Sequence, residues 1–337
     1  MSPKAGLFLF LHSENISVVR YFITMDISAT SVGLLPCENY SRKEIADAVD
    51  RLIGALDFRI VPGDRVLLKP NLLSAGSGDH LACTHPDFVA AVAGWFVDHG
   101  AAVTIGDSPA FGTAKGIMRT IGVEKSLAGL PVGLINFDQA VPVLLGGGLR
   151  VAVAKAALEC DLLVNLPRVK AHNQFYMTLA VKNYFGTVVG FQKPWWHLRY
   201  GNHDEVFASH LVDLLAVLPQ GMTLVDGIIA MHETGPISGN PYPLGLVGAG
   251  RNPVAVDTAL LQLLGLDHAK SVIWRECNRR NLTGSVPASL TFPLSSPREF
   301  KRDRFRAPSF LNSVSFNPLR MLISSGKRLL AKLAESP

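Results

Sequence analysis

Short apolar runs alternate with helical patterns along most of the chain, and this alternation restricts the fold more than any other feature of the sequence. Strands are predicted over residues 31–35, 66–68, 101–105, 132–137, 162–166, 223–225 and 244–249. Helices are predicted over 41–56, from 84–86 to 99, over 114–121, over 205–218 and from 252 onward. Strands joined through helices run parallel, with helices on both faces of the sheet. We therefore predict an α/β fold with a largely parallel, doubly wound sheet.

Local signals support several of these boundaries. Ser41 precedes the first helix and Glu44 follows three residues later, which predicts a capping box. Three glycines at 146–148 predict a hairpin over 143–153. Pro167 is expected to end the buried strand 162–166, with a polar loop after it. That loop is either solvated surface or a cationic site beside a buried strand, where cations need a partner.

The positive charge of the chain is concentrated at its C-terminal end. The net charge is +5 and the pI is about 9.0. Residues 297–337 hold nine basic and three acidic residues, so the remainder, with 23 basic and 24 acidic residues, is almost neutral. Because no nucleic-acid-binding signature accompanies the excess, we do not expect a nucleic acid as partner.

The four cysteines, Cys37, Cys83, Cys160 and Cys277, are widely separated and form no CxxC pair. This spacing does not suit a zinc ribbon or an iron–sulfur cluster, and it predicts small buried side chains in a reducing cytoplasm. No apolar run approaches the ~20 residues that span a bilayer. We expect a cytoplasmic protein, with peripheral membrane contact as an open alternative.

Three regions are predicted from these patterns. Residues 1–25 are a leader or a mis-assigned start, with Met25 as the alternative first residue. Residues 26–290 form the α/β domain, and 291–337 form a basic tail with an amphipathic helix after Pro318. A basic amphipathic helix suits an anionic membrane surface, whereas packing on its own domain or on a second subunit is the competing interpretation.

Polar residues recur where the predicted strands end, and the carboxyl ends of parallel strands line the ligand crevice of open α/β sheets. Each residue alone could cap a helix or a turn. Together they predict one shared site. The candidates for catalysis are Lys69, Asp107, Lys170, His172, Lys182 and Asp226, and those for substrate binding are Asn71, His85, Ser108, Asn165, Arg168 and Asn183. Asp257 is a further candidate for proton transfer or metal ligation.

Several common enzyme classes lack support in the sequence. There is no Walker A motif and no GxGxxG, and the glycines at 146–148 and 248–250 lack the required context. There is also no GxSxG nucleophile elbow. Histidines and aspartates could bind a divalent metal, but they show no local ligand spacing, so a metal remains an open alternative.

The ordered motifs of the chain resemble the family known as domain of unknown function 362 (DUF362). These motifs are Lys69-Pro70-Asn71, Thr84-His85-Pro86, Gly106-Asp107-Ser108-Pro109, the residues 165–172 and 181–186, Asp226-Gly227, Gly235-Pro236 and Ala255-Val256-Asp257. The resemblance covers about residues 31–267. Many members of that family append a ferredoxin-like module with clustered cysteines. Since this chain has no such cysteine cluster, we expect no iron–sulfur cluster.

The candidate residues favour an anionic small molecule as ligand. Lysine and arginine neutralise carboxylate or phosphate, and asparagine adds neutral hydrogen bonds. A desolvated lysine beside other cations can act as a base or nucleophile. We therefore expect an enzyme with Lys, Asp and His chemistry, and the alternative is a non-catalytic ligand-binding or accessory protein.

Overall fold

The protein, represented by a computed structural model, is described over residues 29–74, 80–190, 192–201, 203–300 and 304–312. The strands are β1 (Val32–Pro36), β2 (Arg65–Pro70), β3 (Ala102–Asp107), β4 (Gly133–Asn136), β5 (Ala140–Leu144), β6 (Arg150–Ala154), β7 (Leu162–Leu166), β8 (Arg168–His172), β9 (Tyr176–Thr178), β10 (Gly221–His232) and β11 (Asn240–Gly250). The helices are α1 (Arg42–Ala55), α2 (Pro86–Asp98), α3 (Ala114–Thr120), α4 (Val123–Ser126), α5 (Lys155–Glu159), α6 (Ala180–Asn183), α7 (Gln192–Tyr200), α8 (Asp204–Leu215), α9 (Pro253–Leu263) and α10 (Val272–Arg279).

Within these residues a nine-stranded sheet forms the centre of the fold. Seven of its strands follow the order β1-β11-β10-β7-β2-β3-β4, β8 pairs with β10, and β9 pairs with β8. The pairs β10·β7, β7·β2, β2·β3 and β3·β4 are parallel, which confirms the predicted α/β fold with a largely parallel sheet. The edge formed by β10, β11 and β1 is antiparallel. Strands β5 and β6 form the predicted hairpin, closed by a 3₁₀ turn at Gly146–Gly148.

Both faces of the central strands are buried, which explains their nearly continuous apolar sequences. Leu68 and Val164 belong to the core on the side of α1 and α2. Their neighbours Leu67 and Leu163 belong to the core on the opposite side, with α8. Burying each such side chain contributes roughly 1.5–3 kcal/mol. Apolar packing therefore stabilises the sheet on both of its faces. Polar side chains can lie at the edge where the carboxyl ends of the strands meet.

The caps of the first two helices differ in part from the sequence prediction. Ser41 caps α1 by accepting from the backbone N–H of Glu44 at 3.4 Å. The reciprocal half of the capping box is absent, because the Asn39 side chain accepts from Ser41 N at 2.7 Å and donates to the Glu44 carboxylate at 3.4 Å. His85 caps α2, and its Nδ1 accepts from Asp87 N at 3.2 Å.

The predicted polar loop after Pro167 is wrong, because strand β8 begins at the next residue. Arg168 and Lys170 are each only 2% exposed, which also excludes a solvated loop. Strand β10 extends beyond the end of β7 and pairs with β8, so the chain continues as a strand after the proline. The Pro167 carbonyl accepts from Asp226 N at 2.9 Å. Asp226 therefore lies inside the long strand β10 and not at its end.

The described part of the predicted tail packs against the domain. Val32 N donates to Thr291 O at 2.9 Å, and Asn312 N donates to Asn173 O at 2.8 Å. The ring of Phe305 lies 5.3 Å from that of Tyr242. The predicted leader at 1–25 and the predicted amphipathic helix after Pro318 lie outside the described residues. In the part that the structure describes, no helix is long and apolar enough to cross a membrane.

Candidate functional site

The structure brings the twelve predicted site residues to the carboxyl edge of the parallel strands. Eleven of them are buried and His85 is half-buried. The parallel register places Lys69 beside Asn165, and Asn165 beside Thr223. Lys69, Asn165 and Asp226 are fully buried, whereas Asn71, Ser108 and Lys182 keep 8–9% of their surface. Asn71, Ser108 and Lys182 therefore each keep a small exposed area.

Lys69 and Asp107 form a buried ion pair between the ends of β2 and β3. The Lys69 Nζ lies 3.0 Å from Asp107 Oδ1 and donates to the Pro70 carbonyl at 3.2 Å. The other carboxylate oxygen of Asp107 accepts from Leu72 N at 3.1 Å. Burial lowers the pKa of Lys69 and the negative charge of Asp107 opposes that shift. The charges of Lys69 and Asp107 therefore compensate each other inside the protein.

Gly186 lies directly against this ion pair. A Cβ at this position would overlap Asp107 Oδ1 and the end of the Lys69 side chain. The Gly186 carbonyl accepts from Ser108 N at 3.2 Å, which ties the loop after β3 to the segment after α6. A residue without a side chain is needed here because two segments of backbone approach the charged pair closely.

Three asparagines form a chain of hydrogen bonds across the site. Asn71 Nδ2 donates to Asn183 Oδ1 at 2.7 Å, and Asn183 Nδ2 donates to Asn165 Oδ1 at 2.8 Å. Asn165 Nδ2 donates to the Ala180 carbonyl at 3.0 Å. The chain begins at Lys170, whose Nζ donates to Asn71 Oδ1 at 2.6 Å. Because each amide both donates and accepts, the amide orientations are fixed along the whole chain.

Lys170 has only neutral hydrogen-bond acceptors among the described residues. Besides Asn71, its Nζ donates to the Ala82 carbonyl at 2.7 Å. Burial, with smaller contributions from Arg168 and Lys69, lowers the pKa of Lys170 to about 7, against opposing effects of Cys83 and Asp107. A lysine ammonium has three N–H donors. One donor of Lys170 is therefore left for a ligand.

Lys182, on the short helix α6, lies among aromatic rings. Its Nζ is 4.6 Å from the ring centroid of Phe175, 4.5 Å from that of Phe185 and 5.3 Å from that of Phe207. Within the described part of the chain it has neither a hydrogen-bond acceptor nor a carboxylate partner. Burial and the neighbouring Lys170 lower its pKa to about 7. Lys182 is thus an uncompensated buried cation or, once deprotonated, a free amine.

The backbone that carries Lys182 is held by Asp257. The Asp257 carboxylate, from α9, accepts from Ala180 N at 2.7 Å and from Val181 N at 3.4 Å. Burial raises the pKa of Asp257 to about 8, although the two N–H donors act in the opposite direction. The contacts give Asp257 a role in orienting α6.

Arg168 and Asp226 belong to a second group, which we call the Asp226 cluster: Tyr40, His85, Arg168 and Asp226. Asp226 accepts from the Tyr40 hydroxyl at 2.9 Å and from His85 N at 2.9 Å. Arg168 Nε lies 4.0 Å from the carboxylate and donates to Ile229 O at 2.8 Å. Its other nitrogens donate to Cys83 O at 3.0 Å and to the Tyr40 hydroxyl at 3.2 Å. All the charges in this cluster have partners within the protein.

The two predicted histidines serve local structure in this arrangement. The His85 ring stacks on Tyr40 with centroids 3.5 Å apart, and burial lowers the pKa of His85. His172 Nδ1 accepts from Gln174 N at 3.1 Å and from Phe175 N at 3.2 Å, which shapes the turn between β8 and β9. In both rings Nδ1 accepts hydrogen bonds from backbone N–H groups, so this nitrogen acts as the acceptor.

Sequence reasoning missed two residues of the site. Lys193 reaches in from α7 and donates to the carbonyls of Ser108 and, at 3.3 Å, Gly186. Its ammonium also lies 5.7 Å from the ring centroid of Phe185. Tyr40 lies in the loop before α1 and connects Asp226 to Arg168. Neither lies at the end of a predicted strand, and neither belongs to the family motifs recognised in the sequence. We call Lys69, Lys170, Lys182 and Lys193 the lysine cluster.

A family model described as a domain of unknown function, DUF362, matches residues 66–262. The chain belongs to this family. A thylakoid-associated protein of Synechocystis sp. is 33% identical over 311 residues, which cover 91% of this chain and 97% of the relative. The resemblance drawn from the sequence motifs is therefore confirmed.

Two solved structures align with part of the chain. The lactate racemase apoprotein of Thermoanaerobacterium thermosaccharolyticum aligns with a TM-score of 0.38 and 14% identity, over 59% of this chain and 52% of that chain. A structural-genomics target from Thermotoga maritima aligns with a TM-score of 0.43 and 10% identity, over 76% of this chain and 61% of that chain. In both cases the match covers less than two thirds of the other protein.

Proposed function

We propose that the lysine cluster binds a small carboxylate or phosphate, and that the protein is an enzyme in which lysine amines transfer protons to and from this ligand. The observation that carries the proposal is Lys182, a buried ammonium without a carboxylate partner among the described residues. Burying an unpaired charge is costly, so an anion that enters the site gains a partner that the fold leaves uncompensated.

The lowered pKa values support proton transfer. A group is most effective as a general acid or base when its pKa lies near the working pH. Lys170 and Lys182 both have a pKa of about 7, and the charge of Lys170 contributes to the lowered pKa of Lys182. One amine can therefore accept a proton while the other donates one. The asparagine chain fixes Lys170 in position for this exchange.

The side chains of the site support the binding of a divalent metal less well than the binding of an anion. Among the described residues, no group of three or more His, Cys, Asp or Glu side chains could hold a metal ion. Asp107, the carboxylate of the site, is already 3.0 Å from the Lys69 ammonium. We leave a metal out of the proposal and include Mg²⁺, Mn²⁺ and Zn²⁺ in the binding screen. The absence of an iron–sulfur cluster stays a prediction, which an iron assay and an absorption spectrum of the purified protein check.

Binding is tested by thermal shift and calorimetry with sulfate, acetate and a panel of phosphorylated and carboxylated metabolites. A ligand at 100 times its Kd stabilises the folded protein by ~2.7 kcal/mol. We expect the shift in the wild type and in Lys155→Met, which removes an exposed lysine near Glu159. We expect no shift in Lys182→Met. Equal shifts in the two variants would contradict the proposed site.

Catalysis is separated from simple binding by isotope exchange. Each ligand that binds is incubated with the protein in D₂O and followed by proton NMR. An enzyme that abstracts a C–H proton replaces it with deuterium, and Lys182→Met abolishes the exchange. If ligands bind but no ligand exchanges protons or is converted, the protein is a non-catalytic ligand-binding protein.

A second proposal concerns peripheral membrane contact through the tail. The relative from Synechocystis is named as thylakoid-associated, and residues 313–337 of this chain add the basic residues Arg320, Lys327, Arg328 and Lys332 between apolar ones. Basic residues near an anionic surface contribute ~1 kcal/mol each. Because residues 304–312 pack on the domain, the protein should be truncated after Asn312 and not after Pro297.

Sedimentation with anionic liposomes tests this contact. We expect the full chain to sediment at low salt and to be released at high salt, and the truncated protein to stay in the supernatant. Equal sedimentation of both would contradict the proposal. A lower oligomeric state of the truncated protein, without a change in liposome binding, would instead assign the tail to self-association.

A further inference from the structure

The lysines of the lysine cluster differ in what holds their amino groups. Lys69 is paired with Asp107, Lys170 donates to Asn71 and Ala82, and Lys193 donates to Ser108 and Gly186. The Lys182 Nζ instead faces three phenyl rings. Its lone pair, after loss of a proton, is not engaged by any hydrogen-bond donor of the described residues. A nucleophilic amine needs apolar surroundings and a lone pair that no donor engages, and Lys182 meets both conditions among these residues.

The backbone of Lys182 is fixed on both sides. Asp257 accepts from the N–H groups of Ala180 and Val181 at the start of α6. The next residue, Asn183, is bonded to Asn71 and Asn165. Asn71, which accepts from the Lys170 amine, thus also bonds the residue next to Lys182. Lys182 itself keeps 8% of its surface exposed.

We propose that Lys182 forms an imine with the carbonyl group of a small oxo acid, whose carboxylate is bound by the Lys170 ammonium. The inference rests on the proposed anion site and adds to it the class of ligand, an anion with an aldehyde or ketone group close to its charge. Amines act as such nucleophiles when an apolar site or a neighbouring cation keeps them unprotonated near neutral pH.

The chemistry balances with the groups present. The neutral Lys182 amine attacks the carbonyl carbon, a C–N bond forms, and a proton moves from nitrogen to oxygen. The resulting hydroxyl takes a second proton, for which the Lys170 ammonium is the donor, and leaves as water. The product is a protonated imine, C=N⁺H, on Lys182. Its positive charge remains against the faces of Phe175, Phe185 and Phe207, which favour a cation at this position.

The imine also explains why an acid–base lysine lies beside the nucleophile. Conversion of a carbonyl into a protonated imine makes the neighbouring C–H bond more acidic, because the electron pair that is left can move onto the nitrogen. After the water has left, Lys170 is unprotonated and can accept that proton. The pair thus accounts for both the covalent step and the proton transfer.

Borohydride trapping of the full-length protein tests the proposal. The protein is incubated with pyruvate or 2-oxoglutarate, sodium borohydride is added, and the product is analysed by intact mass and peptide mapping. Hydride reduces the imine to a secondary amine. We expect a mass increase equal to that of the oxo acid less one oxygen atom, located at Lys182. Lactate, which has no ketone, should give no adduct.

Three variants make the result specific. Lys182→Arg and Lys182→Met should both lose the adduct while remaining folded by circular dichroism, whereas Lys155→Arg, which changes an exposed lysine, should retain it. Sulfate should slow labelling of the wild type because it occupies the carboxylate position. Labelling spread over surface lysines, or labelling that persists in Lys182→Arg, would overturn the proposal.

The same samples separate this inference from the proposed anion site. If sulfate stabilises the wild type but not Lys182→Met, and neither oxo acid gives an adduct at Lys182, the anion site stands and the imine is wrong. If sulfate stabilises neither protein and no adduct forms, both are wrong. An adduct at Lys182 that sulfate suppresses supports both.

Discussion

The Asp226 cluster and the lysine cluster lie at the same edge of the sheet, yet their charges are compensated in different ways. In the Asp226 cluster the carboxylate has a hydroxyl, a backbone N–H and a guanidinium around it. In the lysine cluster, Lys170 has neutral acceptors and Lys182 has aromatic rings. Chemically similar residues in the sequence therefore have different roles in the fold.

The difference indicates which residues serve structure and which serve a ligand. A buried ion pair with all its hydrogen bonds made fixes neighbouring segments, and breaking it leaves a charge unpaired. A buried amine without an anionic partner is not neutralised by an opposite charge of the fold and is available for chemistry. Of the twelve residues predicted for the site, Arg168, Asp226 and His85 thus belong to the supporting structure by their contacts, and Lys170 and Lys182 to the reactive side.

The largest effect on stability is expected from Asp226→Asn. The new amide would place N–H groups against the His85 N–H or the Tyr40 hydroxyl and would remove the charge opposite Arg168. We expect a loss of ~3–5 kcal/mol in the free energy of unfolding, measured by urea denaturation. Asp47→Asn, which breaks the exposed pair with Lys43, should leave the free energy of unfolding almost unchanged. A similar loss of unfolding free energy in both variants would contradict the expected difference between buried and exposed ion pairs.

An intermediate effect is expected from Gly186→Ala. The added methyl group would displace the buried Lys69 and Asp107 side chains, and such overpacking costs ~1–3 kcal/mol. Gly54→Ala provides the control, because Gly54 lies in α1 with no atom near the added Cβ, and it should stabilise the protein by ~0.5–1 kcal/mol. The comparison would be wrong if both substitutions changed the unfolding midpoint in the same direction.

Anion binding should weaken as the pH rises above about 7. Lys170 and Lys182 each have a pKa of about 7, so their positive charges are present below this pH and are lost above it. For each lysine that must be protonated, the affinity falls by at most about tenfold per pH unit. A tenfold loss corresponds to ~1.4 kcal/mol of binding free energy. Calorimetry with sulfate, whose own charge is constant in this range, measures the slope. Lys170→Met should flatten the slope and Lys155→Met should not. A pH-independent Kd would contradict this assignment.

Lys182→Met is expected to change stability much less than Asp226→Asn. An apolar side chain suits the three phenyl rings, so the free energy of unfolding at pH 7 should change by less than ~1 kcal/mol. The pKa of Lys182 is 10.5 in the unfolded chain and about 7 in the folded protein, so between these pH values only the unfolded chain keeps the proton. Wild-type stability should therefore rise between these pH values through this group, and the Met variant should lack that rise. A large loss of stability at pH 7 would show that Lys182 supports the fold.

The sequence by itself determined the layered fold and the edge at which the site lies. Strand runs such as 162–166 are apolar throughout because both faces of the sheet are covered, so their positions could be recognised from composition alone. Lys69 and Asp107 follow such runs, and the parallel register then brings them together. Short-range chemistry was also recognisable, as the Ser41 cap shows, but its reciprocal bond was decided by Asn39.

Only the tertiary structure decided which charges are compensated. Arg168 and Lys170 are two residues apart on β8, and no local pattern shows that one lies near Asp226 while the other meets only neutral oxygens. That outcome depends on β10 extending past β7 and on helix α6 placing Lys182 among rings from three separate segments. Charge compensation depends on distances between segments far apart in sequence, and these distances exist only once the sheet and its helices have packed.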